Sequence, residues 1–223
     1  MSRERALVLV GSPRGLRSVS NSIADHLLAA IKRYECRKIL IHDKAYRNDP
    51  ASLADSLGSC RAVILIYPLY VDSLPAPVIA LMEAAARVHG SDGLRGIRFC
   101  AISNCGYPEG RHARESLMIC SRFAAETGMS WMGGLSLGGG PTIGVKGLHT
   151  GRGKAAAAAL DPLVRALEDE AGPSDGMKNI VELDLVNPVL YRSLGNWGWR
   201  WTALRRGLLF SMGRRPSAVE RGP

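Results

Sequence analysis

Five short apolar runs punctuate the chain: Ala6–Val10, Ile39–Ile41, Ala62–Tyr67, Ile97–Ser103 and residues 130–137. The first and third are apolar throughout, the pattern of strands buried on both faces. Between them the period changes from two to about 3.6 residues. In residues 20–33, Ile23, Leu27 and Ile31 recur every fourth position, with Ser18 or Ser20 placed to cap the helix. Further helices are predicted over 50–58, opened by Pro50, and over 76–88, where Pro77 falls in the tolerant first turn. Two more follow over 112–127 and the alanine-rich 153–170. Strand and helix alternate five times without hairpin signals, which predicts a parallel sheet with helices on both faces.

In such sheets ligands bind beyond the carboxyl ends of the strands. The search for chemistry therefore narrows to the loops 11–22, 67–75 and 103–111. The first carries Ser12, Arg14, Ser18, Ser20, Asn21 and Ser22 between a buried strand and a helix N-terminus. Backbone N–H groups, hydroxyls and one guanidinium in that position make an anion site, suited to a phosphomonoester. The same residues also read as a serine-rich connection with a helix cap. Neither a Walker loop nor a Gly-x-Gly-x-x-Gly fingerprint is present. The second loop, Tyr67–Pro75, can offer an apolar wall to a planar ring, or Tyr67 and Tyr70 can simply pack on neighbouring helices. The third, around Asn104-Cys105-Gly106-Tyr107, offers backbone donors. Cys105 has no histidine–acid arrangement inferable beside it and reads as a small loop residue rather than a nucleophile.

Composition changes this picture little. The chain has 223 residues and 46% hydrophobic content, ample for a core. No apolar stretch approaches the roughly 20 residues that span a bilayer. The N-terminal apolar segment, ended by Gly11-Ser12-Pro13, reads as a strand rather than a signal peptide, so a cytoplasmic protein is expected. Five scattered cysteines and five dispersed histidines predict reduced thiols and no metal site. The net charge of +9 is uneven: from Arg192 to Pro223, seven arginines face one acid. The body is only mildly basic, and no nucleic-acid partner is expected.

Taken together, Gly11-Ser12-Pro13-Arg14 with Ser20-Asn21-Ser22, Pro68-Leu69-Tyr70-Val71-Asp72-Ser73 and Asn104-Cys105-Gly106-Tyr107-Pro108-Glu109 resemble the NADPH-dependent FMN reductase family. The likeness is greatest to its multimeric flavodoxin and iron–sulfur flavoprotein branch, and covers about residues 5–170. It implies a flavodoxin-like three-layer α/β/α fold with a five-stranded parallel sheet in the order 2-1-3-4-5. It implies FMN, with the phosphate on Ser12, Arg14, Ser20, Asn21 and Ser22. Pro68, Leu69, Tyr70, Val71 and Asp72, together with Asn104, Cys105, Gly106 and Tyr107, would border the isoalloxazine. Electrons would pass from NADPH or NADH to a small acceptor such as a quinone or flavin, in a homodimer or homotetramer. The stretch His42–Pro50 lacks the cysteines that relatives use for an iron–sulfur cluster, so none is expected there. An electron carrier that does not use nicotinamide, or a flavin-free scaffold, are the alternatives.

Residues 1–172 are thus expected to form the FMN-binding domain, and 173–223 an aromatic and arginine-rich arm with a disordered end. Trp197, Trp199 and Trp201 stand among Arg192, Arg200, Arg205 and Arg206. Such an arm can pack on its own domain or on a second subunit. Alternatively, residues 191–210 can make a weak contact with an anionic membrane surface. Gly195, Gly198 and Gly207 argue against a continuous amphipathic helix and for the packed arm.

Overall fold

The computed structural model describes residues 3–143, 147–149, 151–169 and 179–212. The expected boundary between residues 172 and 173 and the expected disordered end, Gly213–Pro223, lie outside the described residues. The chain divides into two compact units, Met1–Val186 and Asn187–Pro223.

In the first unit, β1 (Arg5–Val10), β2 (Glu35–Leu40), β3 (Ala62–Pro68), β4 (Arg98–Asn104) and β5 (Ser130–Gly138) form an all-parallel sheet in the order 2-1-3-4-5. This is the flavodoxin-like order. The structure adds a sixth strand, β6 (Ile180–Asp184), paired in parallel with β5 from Gly134↔Ile180 to Gly138↔Asp184. The sheet therefore takes up a segment expected to lie in the arm. The β6 side chains are exposed or half-buried, as befits an edge strand, so no continuous apolar run announces it. β2, the other edge, begins at Glu35, four residues before the apolar triplet Ile39–Ile41.

One face of the sheet is covered by α1 (Val19–Ala30) and α6 (Arg152–Glu168). The other carries α3 (Pro50–Leu57), α4 (Ala76–His89) and α5 (Arg114–Thr127). A short α2 (Lys44–Asn48) precedes α3. Inward side chains of the strands alternate between the two cores: Leu7, Leu9, Val63 and Leu65 face one, Val8, Val10, Ile64 and Ile66 the other. Burying both faces of β1 and β3 demands their unbroken apolar runs. Of the five free cysteines, Cys60, Cys100, Cys105 and Cys120 are buried. Burial pushes the Cys100 and Cys120 thiols up to about 12, so both remain neutral packing groups.

The second unit contains α7 (Pro188–Arg205). Asn187 caps it, its Oδ1 accepting from the amides of Val189 (3.0 Å) and Leu190 (3.1 Å), and Pro188 opens the first turn. The helix runs unbroken through Gly195 and Gly198, against the expectation that these glycines interrupt it. Each costs about 1 kcal/mol relative to alanine, a bias that weakens the helix without breaking it. None of its residues is buried. Among the described residues, no helix is long and apolar enough to cross a membrane.

Candidate functional site

The carboxyl ends of β1, β3 and β4 release the three loops side by side, and hydrogen bonds lock them together. The Gly11 amide donates to the Ile66 carbonyl (2.8 Å), and the Leu69 amide donates to the Asn104 carbonyl (2.9 Å). Asn104 is the central tie. Its Nδ2 donates to Ser20 Oγ (2.9 Å) and to the Tyr67 carbonyl (3.1 Å), joining first, second and third loops in one side chain.

Within the first loop, Gly15 adopts φ +58°, a left-handed conformation that glycine takes without Cβ strain, and starts a one-turn 3₁₀ helix over Gly15–Arg17. Ser18 then caps α1, its Oγ accepting from the Asn21 amide (3.1 Å) and donating to the Gly15 carbonyl (2.6 Å). The amides of Val19 and Ser20, the first two of α1, have no acceptor among the described residues. Ser12 and Ser20 are each 1% exposed. Each accepts one hydrogen bond, from the Arg14 amide (3.4 Å) and from Asn104, and neither donates to any described residue. Buried donors without acceptors at a helix N-terminus make a place for an anion.

These groups open onto a cavity of about 160 Å³. It is lined by nine of the residues singled out from the sequence: Ser12, Arg14, Ser20, Pro68, Leu69, Tyr70, Asn104, Cys105 and Gly106. Ser18, Val19 and Pro141 complete it. Pro141 comes from the loop after β5, at the same edge of the sheet; its position behind a fifth strand was the available signal. Arg14, Ser18, Val19 and Pro141 also wall a second cavity of about 540 Å³, together with Leu16, Arg17 and Ser22. Neither lining contains an acid. A larger cleft of about 810 Å³ runs along β2 and α3 and shares no lining residue with these loops.

Four of the singled-out residues line neither cavity. Asn21 is turned away, its Nδ2 donating to Asp25 Oδ2 (2.9 Å) and its Oδ1 accepting from Lys38 Nζ (2.9 Å), which also pairs with Asp25. Its side chain ties α1 to β2 rather than reaching the loop. Tyr107 lies over His112, ring centroids 4.5 Å apart, and His112 Nε2 stands 3.7 Å from Glu109 Oε2. Val71 and Asp72 form the tip of a tight turn in which Tyr70 and Ser73 exchange backbone hydrogen bonds of 3.0 Å. In the third loop the Cys105 amide donates to the Leu137 carbonyl (3.0 Å), so it is not a free donor for a ring, and in the second loop the Leu69 and Tyr70 amides are engaged internally as well. Burial pushes the Cys105 thiol up to about 11, which leaves it protonated and un-nucleophilic at neutral pH. Tyr67 is fully buried and donates to Ser116 Oγ (2.9 Å) of α5, so it packs and does not face the cavity.

The turn at 70–73 stores strain. Val71 and Asp72 have φ of +49° and +56°. For a β-branched residue that conformation costs about 1–3 kcal/mol. Val71 is 98% exposed, so its side chain recovers nothing by packing. Val71→Asn should therefore raise the melting temperature by about 2–4 °C, since asparagine tolerates this region. An unchanged or lowered melting temperature in a thermal denaturation would contradict the strain.

The third loop is braced from β6. The Gly110 amide donates to Asp184 Oδ1 (2.7 Å), and Arg114 Nη1 donates to Glu182 Oε1 (2.7 Å). Ser136 Oγ of β5 donates to the Gly110 carbonyl. The sixth strand thus ties the end of the third loop and the start of α5 to the edge of the sheet.

No family model matches the chain, and no curated protein matches it. Solved structures do. A WrbA-like flavodoxin from Agrobacterium tumefaciens is 13% identical, over 74% of this chain and 98% of that one, with a TM-score of 0.53. An apo NADH:FMN oxidoreductase is 14% identical, over 84% of this chain and 98% of that one, also at 0.53. A Trp repressor binding protein from Bacillus subtilis is 13% identical, over 72% of this chain and 99% of that one, at 0.51. The strand order, the helices on both faces and these neighbours agree: the chain has the flavodoxin-like α/β fold.

Proposed function

We propose that the chain is an FMN-dependent NAD(P)H oxidoreductase that passes electrons to a small acceptor such as a quinone or a flavin. The observation that carries this reading is the convergence of the buried Ser12 and Ser20 hydroxyls, the α1 N-terminus and Arg14 on one acid-free cavity. Those donors suit the dianionic phosphate of FMN. Ser12 and Ser20 would donate to its oxygens, the Val19 and Ser20 amides would add the helix terminus, and Arg14 would balance its charge. Pro68, Leu69 and Tyr70 on one side, and Asn104, Cys105 and Gly106 on the other, would hold the ring.

Bound FMN supplies the redox chemistry, accepting hydride from a nicotinamide and returning electrons to a second substrate. The chain contributes placement and electrostatics. Asn104 keeps the loops in register, and the neutral Cys105 leaves a thiol that neither attacks nor ionises. The second cavity, with Arg14 and Arg17 and no acid, favours an anionic co-substrate, which supports the reductase over a carrier that never meets NAD(P)H. A homodimer or homotetramer in the cytoplasm is the setting that goes with this reading.

The test is a titration of the purified protein with FMN and with riboflavin, read by flavin fluorescence and visible absorption, followed by NADPH and NADH oxidation with a quinone. FMN should bind about 100-fold more tightly than riboflavin, because two or more charge-assisted hydrogen bonds depend on the phosphate. Ser12→Ala should weaken FMN about tenfold while leaving riboflavin unchanged. Equal affinity for the two flavins would remove the phosphate from this loop. A protein that binds FMN but oxidises neither nicotinamide would be a carrier.

A further inference from the structure

The helix of the second unit presents an apolar stripe that the described structure leaves uncovered. Leu190, Leu194, Trp197, Trp201 and Leu204 recur at spacings of four and three, which aligns them along one side of α7. They are 50–65% exposed. Trp197 and Trp201 stack with centroids 5.7 Å apart and rings 12° from parallel, giving the stripe a flat aromatic centre. Arg200 and Arg205 follow the stripe on its two flanks. Arg192, Arg206 and Trp199 lie on the far side. Between Asp184 and Glu220 the chain has six arginines and no acid.

That charge distribution decides what can cover the stripe. Spacings of four and three also suit a coiled coil with a second copy. In a parallel pair, Arg200 of each helix would face Arg205 of the other, and in an antiparallel pair each would face its own counterpart. No acid in the helix can relieve either arrangement. A surface of phospholipid phosphates, by contrast, pairs the flanking Arg200 and Arg205, accepts tryptophan at the boundary between headgroups and acyl chains, and takes up the leucines. The helix is about 27 Å long, and with its arginines distributed along it the axis must lie in the plane of such a surface. Two internal glycines also leave an 18-residue helix marginal in water by propensity alone, and a surface supplies the missing contacts.

We propose that α7 docks the protein in-plane on an anionic phospholipid bilayer, with the Leu190–Leu204 stripe toward the acyl chains and the flanking Arg200 and Arg205 on headgroup phosphates. This does not rest on the flavin reading. The test is co-sedimentation of the full-length protein with phosphatidylcholine vesicles, with and without phosphatidylglycerol, at low and physiological salt. Tryptophan emission is followed in parallel, since three of the four tryptophans lie in α7. The protein should sediment with the anionic vesicles, release as salt rises, and shift its emission to the blue. Arg200→Gln with Arg205→Gln should weaken partitioning about 30-fold, at about 1 kcal/mol per charge near such a surface. Trp197→Ser with Trp201→Ser should weaken it about tenfold or more with the thermal melting of the body unchanged. Failure to sediment with anionic vesicles at low salt, or equal binding to neutral ones, would overturn the proposal. So would a dimer in sedimentation velocity that the tryptophan pair variant splits and that ignores vesicles; that result would assign the stripe to a second copy.

Discussion

Gly138→Ala should lower the melting temperature by about 6–12 °C and weaken FMN binding at least about tenfold. A Cβ at this position would fall 2.3 Å from the Pro108 carbonyl oxygen, 2.5 Å from the Gly110 nitrogen and 2.6 Å from the Glu109 carbonyl carbon. All three neighbours are backbone, so no side chain can swing aside. The segment they belong to is pinned as well, by the Asp184 carboxylate on the Gly110 amide and by Ser136 on the Gly110 carbonyl. Either β5 separates from the third loop or the loop shifts and carries Cys105 and Gly106 out of the cavity wall. Overpacking of this kind costs about 3 kcal/mol, and each kcal/mol is about 2–4 °C in a domain of this size. Gly106→Ala is the control. Nothing lies within 4 Å of its added methyl, so its melting temperature should stay within about 2 °C of the parent. Thermal denaturation and FMN titration of both variants read the difference. Equal melting temperatures would mean that the third loop yields freely, and with it the claim that the cavity wall is rigidly placed would fall.

What could be read from residues alone follows from how fully each element is buried. β1 and β3 have water on neither face, so apolar residues fill every position and the runs stand out. The edge strands have no such demand. In β2, Glu35 and Arg37 point outward and hide four residues of strand before Ile39. In β6, Asp184 braces the third loop and Glu182 the start of α5, and the pattern Ile-Val-Glu-Leu-Asp gives no sign of whether it pairs with anything. The site shows the same division. Loop membership places Ser12, Ser20, Pro68 and Asn104 correctly at the carboxyl edge, because the topology alone takes them there. Where a side chain turns is another matter. Asn21 lies one position past Ser20, yet a helical step of about 100° swings it to Asp25, one turn on, and to Lys38 of the adjacent strand. Val71 and Asp72 belong to the second loop but sit at the tip of a turn whose handedness no valine advertises. In α7 the glycine positions suggested a break, whereas Asn187 and Pro188 start a helix that continues past them.

A chain ended after Gly176 should lose FMN binding and aggregate on expression, whereas a chain ended after Val186 should stay soluble and bind FMN. The two differ by a segment that composition alone would leave to the arm. The longer chain keeps the β5–β6 ladder, the Asp184 bond to the Gly110 amide and the Glu182–Arg114 pair. It also keeps Leu185 and Val186, which are 8% and 7% exposed, Leu185 being part of the core beneath α1 and α6. Removing two buried apolar side chains forfeits about 1.5–3 kcal/mol each. Leaving the Gly110 amide without its acceptor adds about 1–3 kcal/mol. The sum is comparable to the whole stability of a typical domain, about 5–15 kcal/mol. The shorter chain also uncovers the edge of β5 over the five residues Gly134–Gly138, with Leu135 and Leu137 among them, a template for association between copies. Size-exclusion chromatography with FMN titration separates the outcomes. If both chains were monodisperse with equal FMN affinity, β6 would be an ornament on a five-stranded sheet, and the third loop would owe its position to β4 and β5 alone.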